Sequence, residues 1–177
     1  MLEVDADELL ESLGIDYFHN LSTFGALSDK AIISLLKNGQ ILQLEQGEVL
    51  CQYGMEVTGF TVVLKGDIAF YKHFSGQDIL TRHFINGEQI GFDAMLAMIP
   101  YSGTEVAHVR TLVVKMSSAQ LFDMHVDFAD DFGLFMINLA RELFREIAQL
   151  EEVIGKSTGW SHKGWFISDS MSFYVNS

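Results

Sequence analysis

The sequence predicts an α+β fold that is mainly β, in which a roll or barrel of antiparallel strands lies between helical segments. The hydrophobic pattern changes its period twice along the 177 residues, from helical to strand-like near residue 40 and back to helical near residue 118. Between these points glycines recur every roughly 5 to 11 residues, which is typical of short antiparallel strands. A hydrophobic content of 49% is enough for a core of ordinary size. We therefore expect one domain.

Residues 1–39 predict two helices. Asp5 or Asp7 can cap the first, and Gly14 ends its apolar face. Ser28 begins the second, SDKAIISLLKNG, in which large apolar residues share one face and Asn38-Gly39 supplies the stop. We expect this N-terminal segment to pack on the predicted strands.

Residues 40–117 predict the strands of the roll. The β-prone runs are ILQLEQG, EVLCQYG, FTVVLKGDIAFYKH, QDILTRHFI and HVRTLVVKMS. We expect tight turns with a positive φ angle at Gly66-Asp67 and at Ser75-Gly76. Between the last two runs, the residues from Asp93 to Met98 predict a short helix-like run.

Residues 118–155 predict helices that end in one long amphipathic helix. Its apolar seam steps by three and four residues, through Met136, Leu139, Leu143, Ile147, Leu150 and Ile154. Such a seam packs either on the chain's own roll or on a second copy as a short coiled coil, and we expect a homodimer through it. Residues 156–177 lack a clear period and predict an irregular tail or a strap across a neighbour.

The charge balance excludes several classes of partner. Lys and Arg number 11 against 24 Asp and Glu, and the net charge of −13 disfavours DNA, RNA and anionic membranes. The N-terminus is acidic where a signal peptide would be basic, and no apolar run reaches the roughly 20 residues of a membrane span. The one cysteine, Cys51, fits a buried thiol in a reducing compartment. We expect a cytoplasmic protein.

No catalytic or metal motif is complete. GKST at residues 155–158 resembles the end of a phosphate-binding loop, but the glycine that should precede it is Leu150. The six histidines form no H-x-H or H-x-x-x-H pair, which leaves a cupin-like metalloprotein as a remote alternative. No arrangement of a nucleophile with a general base can be assembled from the local sequence. We expect no enzyme, no metal and no certain cofactor.

Three motifs occur in order along the chain: LKG at residues 64–66, NGEQIG at residues 86–91, and N-x-A-R-E at residues 138–142. Their order and spacing, from Phe24 to Ile154, resemble the cyclic-nucleotide-binding domain of the catabolite activators. The resemblance implies an antiparallel, jelly-roll-like β-roll flanked by N-terminal helices and a long C-terminal helix. It also implies a phosphate-binding cassette at residues 86–109. The family's DNA-reading winged helix would come after the long helix, and the residues after Gly155 are too few for it.

The cassette differs from the family's pattern in its charged residues. The family has a Glu after the second glycine and an Arg about ten residues later, whereas here Phe92 comes after Gly91 and the nearest carboxylate is Asp93. Glu105 brings a negative charge towards the expected phosphate. A cyclic nucleotide or another small anion is the candidate ligand. The candidate binding residues are Gly87, Glu88, Ile90, Gly91, Phe92, Asp93, Ala94, Ser102, Gly103 and Thr104, with Arg82 and Arg110 as the cations that could reach them.

The sequence supports two main hypotheses for function. In the first, the chain is a regulatory sensor whose altered cassette accepts a ligand and whose long helix relays the change to a protein partner. In the second, it is a pseudo-receptor whose pocket is collapsed or filled by Phe92 and which serves only for dimerisation and docking. The ligand of the first hypothesis is a nucleotide or another small molecule, and for the chain as a whole we expect native binding of cAMP or cGMP to be absent.

Overall fold

A computed structural model describes residues 1–157 of the chain. Within them the helices are α1 (Ala6–Leu13), α2 (Ile15–His19), α3 (Asp29–Asn38), α4 (Phe92–Ala97), α5 (Ser118–Asp127) and α6 (Ala129–Ser157), with a 3₁₀ helix at Ser22–Phe24. The strands are β1 (Leu2–Glu3), β2 (Gln40–Leu44), β3 (Val49–Cys51), β4 (Gly59–Lys65), β5 (Asp67–Phe74), β6 (Gln77–Ile85), β7 (Gln89–Ile90), β8 (Gly103–Ala107) and β9 (Thr111–Ser117).

The strands form two antiparallel sheets, which confirms the predicted fold class. The five-stranded sheet has the order β1-β2-β9-β4-β7, and the four-stranded sheet has the order β3-β8-β5-β6. Neighbours in the sheets are often distant along the chain, as in a roll. The two predicted turns do carry positive φ angles, +124° at Gly66, +51° at Ser75 and +78° at Gly76.

Strand β4 separates two hydrophobic clusters, because its side chains alternate between the two faces of its sheet. Phe60, Val62 and Leu64 lie in a cluster with the helices, and Val63 lies in a second cluster inside the roll. Thr61 shares the inward face with Val63. Nearly the whole strand is therefore buried, which explains why it reads as a continuous apolar run.

The N-terminal helices begin at the predicted caps. The Asp5 carboxylate accepts hydrogen bonds from the N–H groups of Asp7 and Glu8, and the Ser28 hydroxyl accepts from the N–H of Ala31 at 3.3 Å. The Ser28 N–H and hydroxyl in turn donate to the Asp131 carboxylate, at 2.6 and 2.9 Å. The start of α3 is thereby fixed to the first turn of α6.

The strand prediction was correct for QDILTRHFI, which is β6, but it missed β8. Gly103, Glu105 and Ala107 are the buried positions of β8, and a glycine and a glutamate there hide the alternation of apolar residues that marks a strand.

Residues Met1–Leu143 form one compact unit, and a second begins at Phe144. The second unit's described residues are the last turns of α6. No helix within residues 1–157 is long and apolar enough to cross a bilayer. Of the predicted tail, residues 156–177, the part from residue 158 onward lies outside the described residues.

Candidate functional site

The cassette-like segment forms a tight turn, strand β7, a left-handed Gly91 and the short helix α4. Gly87 is held by the 3₁₀ helix, since the hydroxyls of Ser22 and Thr23 donate to its carbonyl oxygen, the first at 2.9 Å. A Cβ at Gly87 would lie 2.7 Å from the Ser22 nitrogen. This glycine therefore serves close packing of the chain on itself.

One N–H donor at the start of α4 already has a partner in the chain. The buried side chain of Gln89 accepts a hydrogen bond from the N–H of Phe92 at 3.0 Å. Gly91 has a φ angle of +80°, and α4 has six residues. The turn and helix start expected of a phosphate-binding cradle are present, but the Phe92 N–H, one of its donors, is already hydrogen-bonded to the Gln89 amide oxygen.

Two aromatic rings lie against the glycines of the cassette. A Cβ built on Gly91 would lie 2.8 Å from the Tyr101 ring, and a Cβ built on Gly103 would lie 2.6 Å from the Phe70 ring. Tyr101 is 8% exposed. Phe70 packs edge-on against Phe84, with ring centroids 6.1 Å apart. The space beside both glycines is therefore filled by side chains of the chain itself.

Phe92 does not fill the pocket, which corrects the expectation from the sequence. Its side chain is 1% exposed and packs on Phe60 in the cluster beneath the helices, with ring centroids 5.2 Å apart. Ala94 is buried beside it on α4, and Asp93 is exposed. Sequence reasoning missed Tyr101 and Phe70, and the one available signal was an aromatic residue directly before Ser102.

Both candidate cations pair with carboxylates of the chain itself, Arg82 with Glu88 of the cassette-like segment and Arg110 with Glu45 outside it. Arg82 lies 4.0 Å above the centre of the Phe84 ring and 3.5 Å from the Glu88 carboxylate, which also accepts from the Ile85 N–H. Arg110 is exposed and pairs with Glu45 at 3.4 Å, so the structure does not bring it to the cassette. Thr104 accepts a hydrogen bond from the N–H of Tyr53, and the carbonyl of Ser102 accepts one from the N–H of His73.

Glu105 is buried inside the roll, where it is 2% exposed. Burial raises the pKa of its carboxyl to about 7; a hydrogen bond with Cys51 acts in the opposite direction, Asp93 raises the pKa further and Lys115 lowers it. Its Oε2 atom has no hydrogen-bond partner within residues 1–157. Burial also raises the pKa of Cys51 to about 12 and raises the pKa of Tyr101. A negative charge at Glu105 is thus poorly tolerated by the fold itself.

The histidines do not assemble a metal site in the part of the chain that the structure describes. His83 contacts Asp67 at 2.7 Å, and its ring is 4.9 Å from that of His108. His162 lies outside the described residues. Gly155, Lys156 and Ser157 belong to α6, and a phosphate-binding loop is therefore not formed there.

The predicted dimer seam divides into a covered and an exposed part. Leu139 is fully buried, and Met136 and Leu143 pack against the cluster beneath the helices, so this part of the seam is used within the chain. Ile147, Leu150 and Ile154 are 50%, 52% and 60% exposed. Phe144, beside them on α6, is also exposed.

Comparison with known proteins finds that residues 41–127 match the cyclic nucleotide-binding domain family. A cyclic nucleotide-binding domain from Methylobacillus flagellatus is similar in structure, with a TM-score of 0.71 and 18% identity over 93% of this chain and 92% of that one. The Thermus thermophilus catabolite activator protein has a TM-score of 0.64 and 20% identity over 77% of this chain and 63% of its own.

A third similar structure is the regulatory subunit of a cAMP-independent protein kinase A from Trypanosoma brucei, with a TM-score of 0.61 and 19% identity. The alignment covers 77% of this chain and 46% of that subunit. No curated protein sequence matches the chain. These structural similarities establish the fold. Sequence identities below 25% do not show that the site residues have the same roles.

Proposed function

Because residues 41–127 form a cyclic nucleotide-binding domain, we propose that this chain is a regulatory module that works without cAMP or cGMP, through protein contacts made by α6. The observation that carries the proposal is the position of the Tyr101 and Phe70 rings against Gly91 and Gly103. A sugar phosphate and these rings would compete for the same space. The proposal assigns no catalytic activity to the chain.

Electrostatics support the same conclusion. A cyclic phosphate in the cyclic-nucleotide-binding family is held by an Arg, and Ser102, Gly103 and Thr104 stand where that Arg is expected in this chain. A charge-assisted hydrogen-bonded contact of this kind contributes about 1.5 to 3 kcal/mol, so its loss alone weakens binding about tenfold to a hundredfold. The buried Glu105 carboxyl adds repulsion whenever it is ionised.

The exposed part of the seam supports the role of α6. Ile147, Leu150 and Ile154 step by three and four residues and are at least half exposed, with Phe144 at 70% beside them. Large apolar side chains at this spacing are buried when two helices pack as a short coiled coil. We propose that a second copy of the chain covers them. The net charge of −13 favours a protein partner over nucleic acid.

The fold itself is compatible with regulation that does not depend on cAMP. One structural relative is the regulatory subunit of a protein kinase that is described as cAMP-independent. This is a similarity of folds, and for this chain the filled cassette supports the proposal.

Titration of the full chain with millimolar cAMP and cGMP, followed by calorimetry and by the midpoint of thermal unfolding, tests the proposal. A ligand that binds only the folded protein raises that midpoint. We expect no heat of binding and no rise in the unfolding midpoint with either nucleotide. Cooperative thermal unfolding of the same sample is the control that the protein is folded. A saturable rise with either nucleotide would show that the rings leave the cassette, and the proposed function would fail.

A further inference from the structure

A second space in the roll lies next to the filled cassette and is not used by it. It is a half-open cavity of about 580 Å³, bounded by β2, β3, β4, β9, the start of α5 and Tyr101. Its polar lining includes Gln40, Cys51, Thr61, Lys115 and Gln120. Cavities of roughly 300 to 1,000 Å³ that combine apolar walls with a few convergent polar groups are the usual form of a small-molecule site.

Three of these polar residues stand in register across three adjacent strands. Lys115 on β9 lies opposite Thr61 on β4 and opposite Gln40 on β2. Directly opposite residues of antiparallel strands project from the same face of the sheet. The roll therefore carries a row of a hydroxyl, an ammonium and an amide where strands of this kind usually present apolar side chains inward.

The side chains of two members of the row make no hydrogen bond or salt bridge among residues 1–157. Thr61 is 1% exposed, and its hydroxyl oxygen has no hydrogen-bond partner within residues 1–157. Buried hydroxyls are almost always hydrogen-bonded, so an unpartnered one that lines a cavity points to a group that enters the cavity. Lys115 forms no salt bridge with any described residue.

The charges around the cavity restrict the ligand to a single negative charge. Lys115 is the one cation among the described residues that line it, whereas Glu56 lies at its rim. Glu105 lies behind Cys51, and its pKa of about 7 keeps it partly protonated near neutral pH. One ammonium beside two carboxyl groups suits a monoanion and disfavours a dianion such as a phosphate monoester.

The remaining walls are apolar. Leu50 is buried, Met55 is half-exposed at the opening, and the Tyr101 ring forms part of the boundary with the cassette. We propose that this cavity binds a small monocarboxylic acid, whose carboxylate contacts the Lys115 ammonium and accepts a hydrogen bond from Thr61. The apolar body of the acid packs against Leu50, Met55 and Tyr101.

This site is separate from the proposed function. Binding of a cyclic nucleotide in the cassette would defeat that function without changing this cavity, and an empty cavity would leave the dimer and the filled cassette as they are. The two proposals therefore fail in distinguishable experiments.

The test is a titration of the full ¹⁵N-labelled chain with benzoate and hexanoate, followed by amide chemical shifts. Benzamide and hexanamide are matched neutral controls of nearly the same shape. We expect saturable shifts centred on Cys51, Thr61 and Lys115, and affinity at least about tenfold weaker for the amides, because they lack the charge-assisted contact.

Three variants assign the contacts. Lys115→Met should weaken benzoate binding at least about tenfold, whereas Lys72→Met, which removes an exposed charge on β5, should leave it unchanged. Thr61→Val should weaken binding and yet raise the thermal unfolding midpoint of the free protein, because it removes the unpartnered buried hydroxyl. A merely structural threonine would not give these opposite effects.

Three results would overturn the proposal. The first is the absence of saturable shifts at the cavity residues with either acid at millimolar concentration. The second is equal binding of acids and amides, or binding that Lys115→Met does not change. The third comes from a parallel titration with cAMP. If cAMP shifts the amide signals of the same residues and the carboxylic acids do not, the cavity would be assigned to a cyclic phosphate.

Discussion

At the scale of single residues, Glu105 shows how burial inside the roll raises the pKa of an acidic side chain to about 7. Its carboxyl lies at an inward position of β8, next to Cys51 and Tyr101, and burial is the largest influence on its pKa. The nearby groups that also act on it are Asp93, which raises the pKa, and Lys115, which lowers it. Cys51 and Tyr101 titrate only in alkaline solution.

The stability of the protein should therefore fall with rising pH because of Glu105. Its pKa rises from 4.5 in the unfolded chain to about 7 in the folded protein, so in that interval the folded state holds a proton that the unfolded state has released. The contribution is fully present below pH 4.5 and is lost as pH rises through about 7, a difference of about 3 kcal/mol.

Glu105→Gln removes the ionisable group at this position and with it the pH dependence of stability that Glu105 causes. We expect nearly equal free energies of unfolding for the two proteins in urea at about pH 4, and a more stable variant, by up to about 3 kcal/mol, at about pH 8. Parallel curves of stability against pH for the two proteins would show that Glu105 is ionised in the folded state.

The contact between Tyr101 and Gly91 can be measured with a matched pair of glycine substitutions. Gly76 and Gly91 have nearly equal φ angles, +78° and +80°, but a Cβ meets nothing within 4 Å at Gly76 and the Tyr101 ring at Gly91. Gly76→Ala should cost about 1 to 2 kcal/mol for backbone strain alone, and Gly91→Ala should cost a further 1 to 3 kcal/mol, roughly, for overpacking.

Urea unfolding measures the stability of Gly76→Ala, Gly91→Ala, Tyr101→Ala and the double variant Gly91→Ala with Tyr101→Ala. In a double-mutant cycle the removal of the ring should offset part of the cost at Gly91. Equal costs at the two glycines would mean that the ring does not occupy the cassette.

The sequence predicted a cassette with altered charges at residues 86–109 and offered Phe92 as a side chain that could fill it, whereas the Phe92 ring packs on Phe60 beneath the helices. Phe92 comes directly after Gly91, and its position at the start of α4 allows it to face either the roll or the helices; the pattern of the sequence does not decide between them. The Tyr101 ring lies against Gly91 because the chain returns to Gly91 just before β8, and a contact between residues ten positions apart leaves no local signal in the sequence.

At the scale of elements, α6 is fixed to the N-terminal region by a polar side chain inside an apolar contact. Asn138, from the N-x-A-R-E motif, is 7% exposed, and its amide donates to the carbonyl oxygens of Gly25 at 2.7 Å and Thr23 at 3.3 Å. The resemblance to the family drew attention to this motif, and the structure gives it a structural role in joining α6 to the 3₁₀ helix.

Asn138→Ala should destabilise the protein by about 2 kcal/mol, because it leaves two carbonyl groups without their donor. Asn38→Ala is a suitable control, since Asn38 is exposed at the end of α3 and its side chain contacts only Ser34 among described hydrogen bonds. The control should change stability by less than about 0.5 kcal/mol. Equal effects in denaturant unfolding would remove Asn138 as an anchor.

The helices and most strands could be predicted because their signals are local. Caps at Asp5 and Ser28 and the β-prone run of β6 depend on neighbouring residues only. The use of the α6 seam could not be predicted, because the same three- and four-residue steps serve both a contact within the chain and a contact between chains. The structure resolves this for Leu139, which is buried within its own chain.

At the scale of the whole molecule, the chain has the fold of cyclic nucleotide-binding domains and, as we propose, uses α6 rather than a nucleotide for regulation. A monomer would leave Phe144, Ile147, Leu150 and Ile154 at least half exposed to water. Apolar side chains in such a row form contiguous surface of the kind that marks a protein interface. Their burial against a second copy would cover the part of the predicted seam that is exposed in the single chain.

The most direct test of this dimer is the mass of the chain in solution by sedimentation velocity, for the wild type and for Ile147→Glu with Leu150→Glu. We expect twice the 19.9 kDa chain mass for the wild type and the chain mass itself for the variant, because two buried charges per helix oppose pairing. Ile79→Glu with Leu80→Glu adds the same charges at comparably exposed sites on β6 and should stay dimeric. A wild-type monomer, or a dimer that the α6 variant leaves intact, would contradict the proposed role of α6.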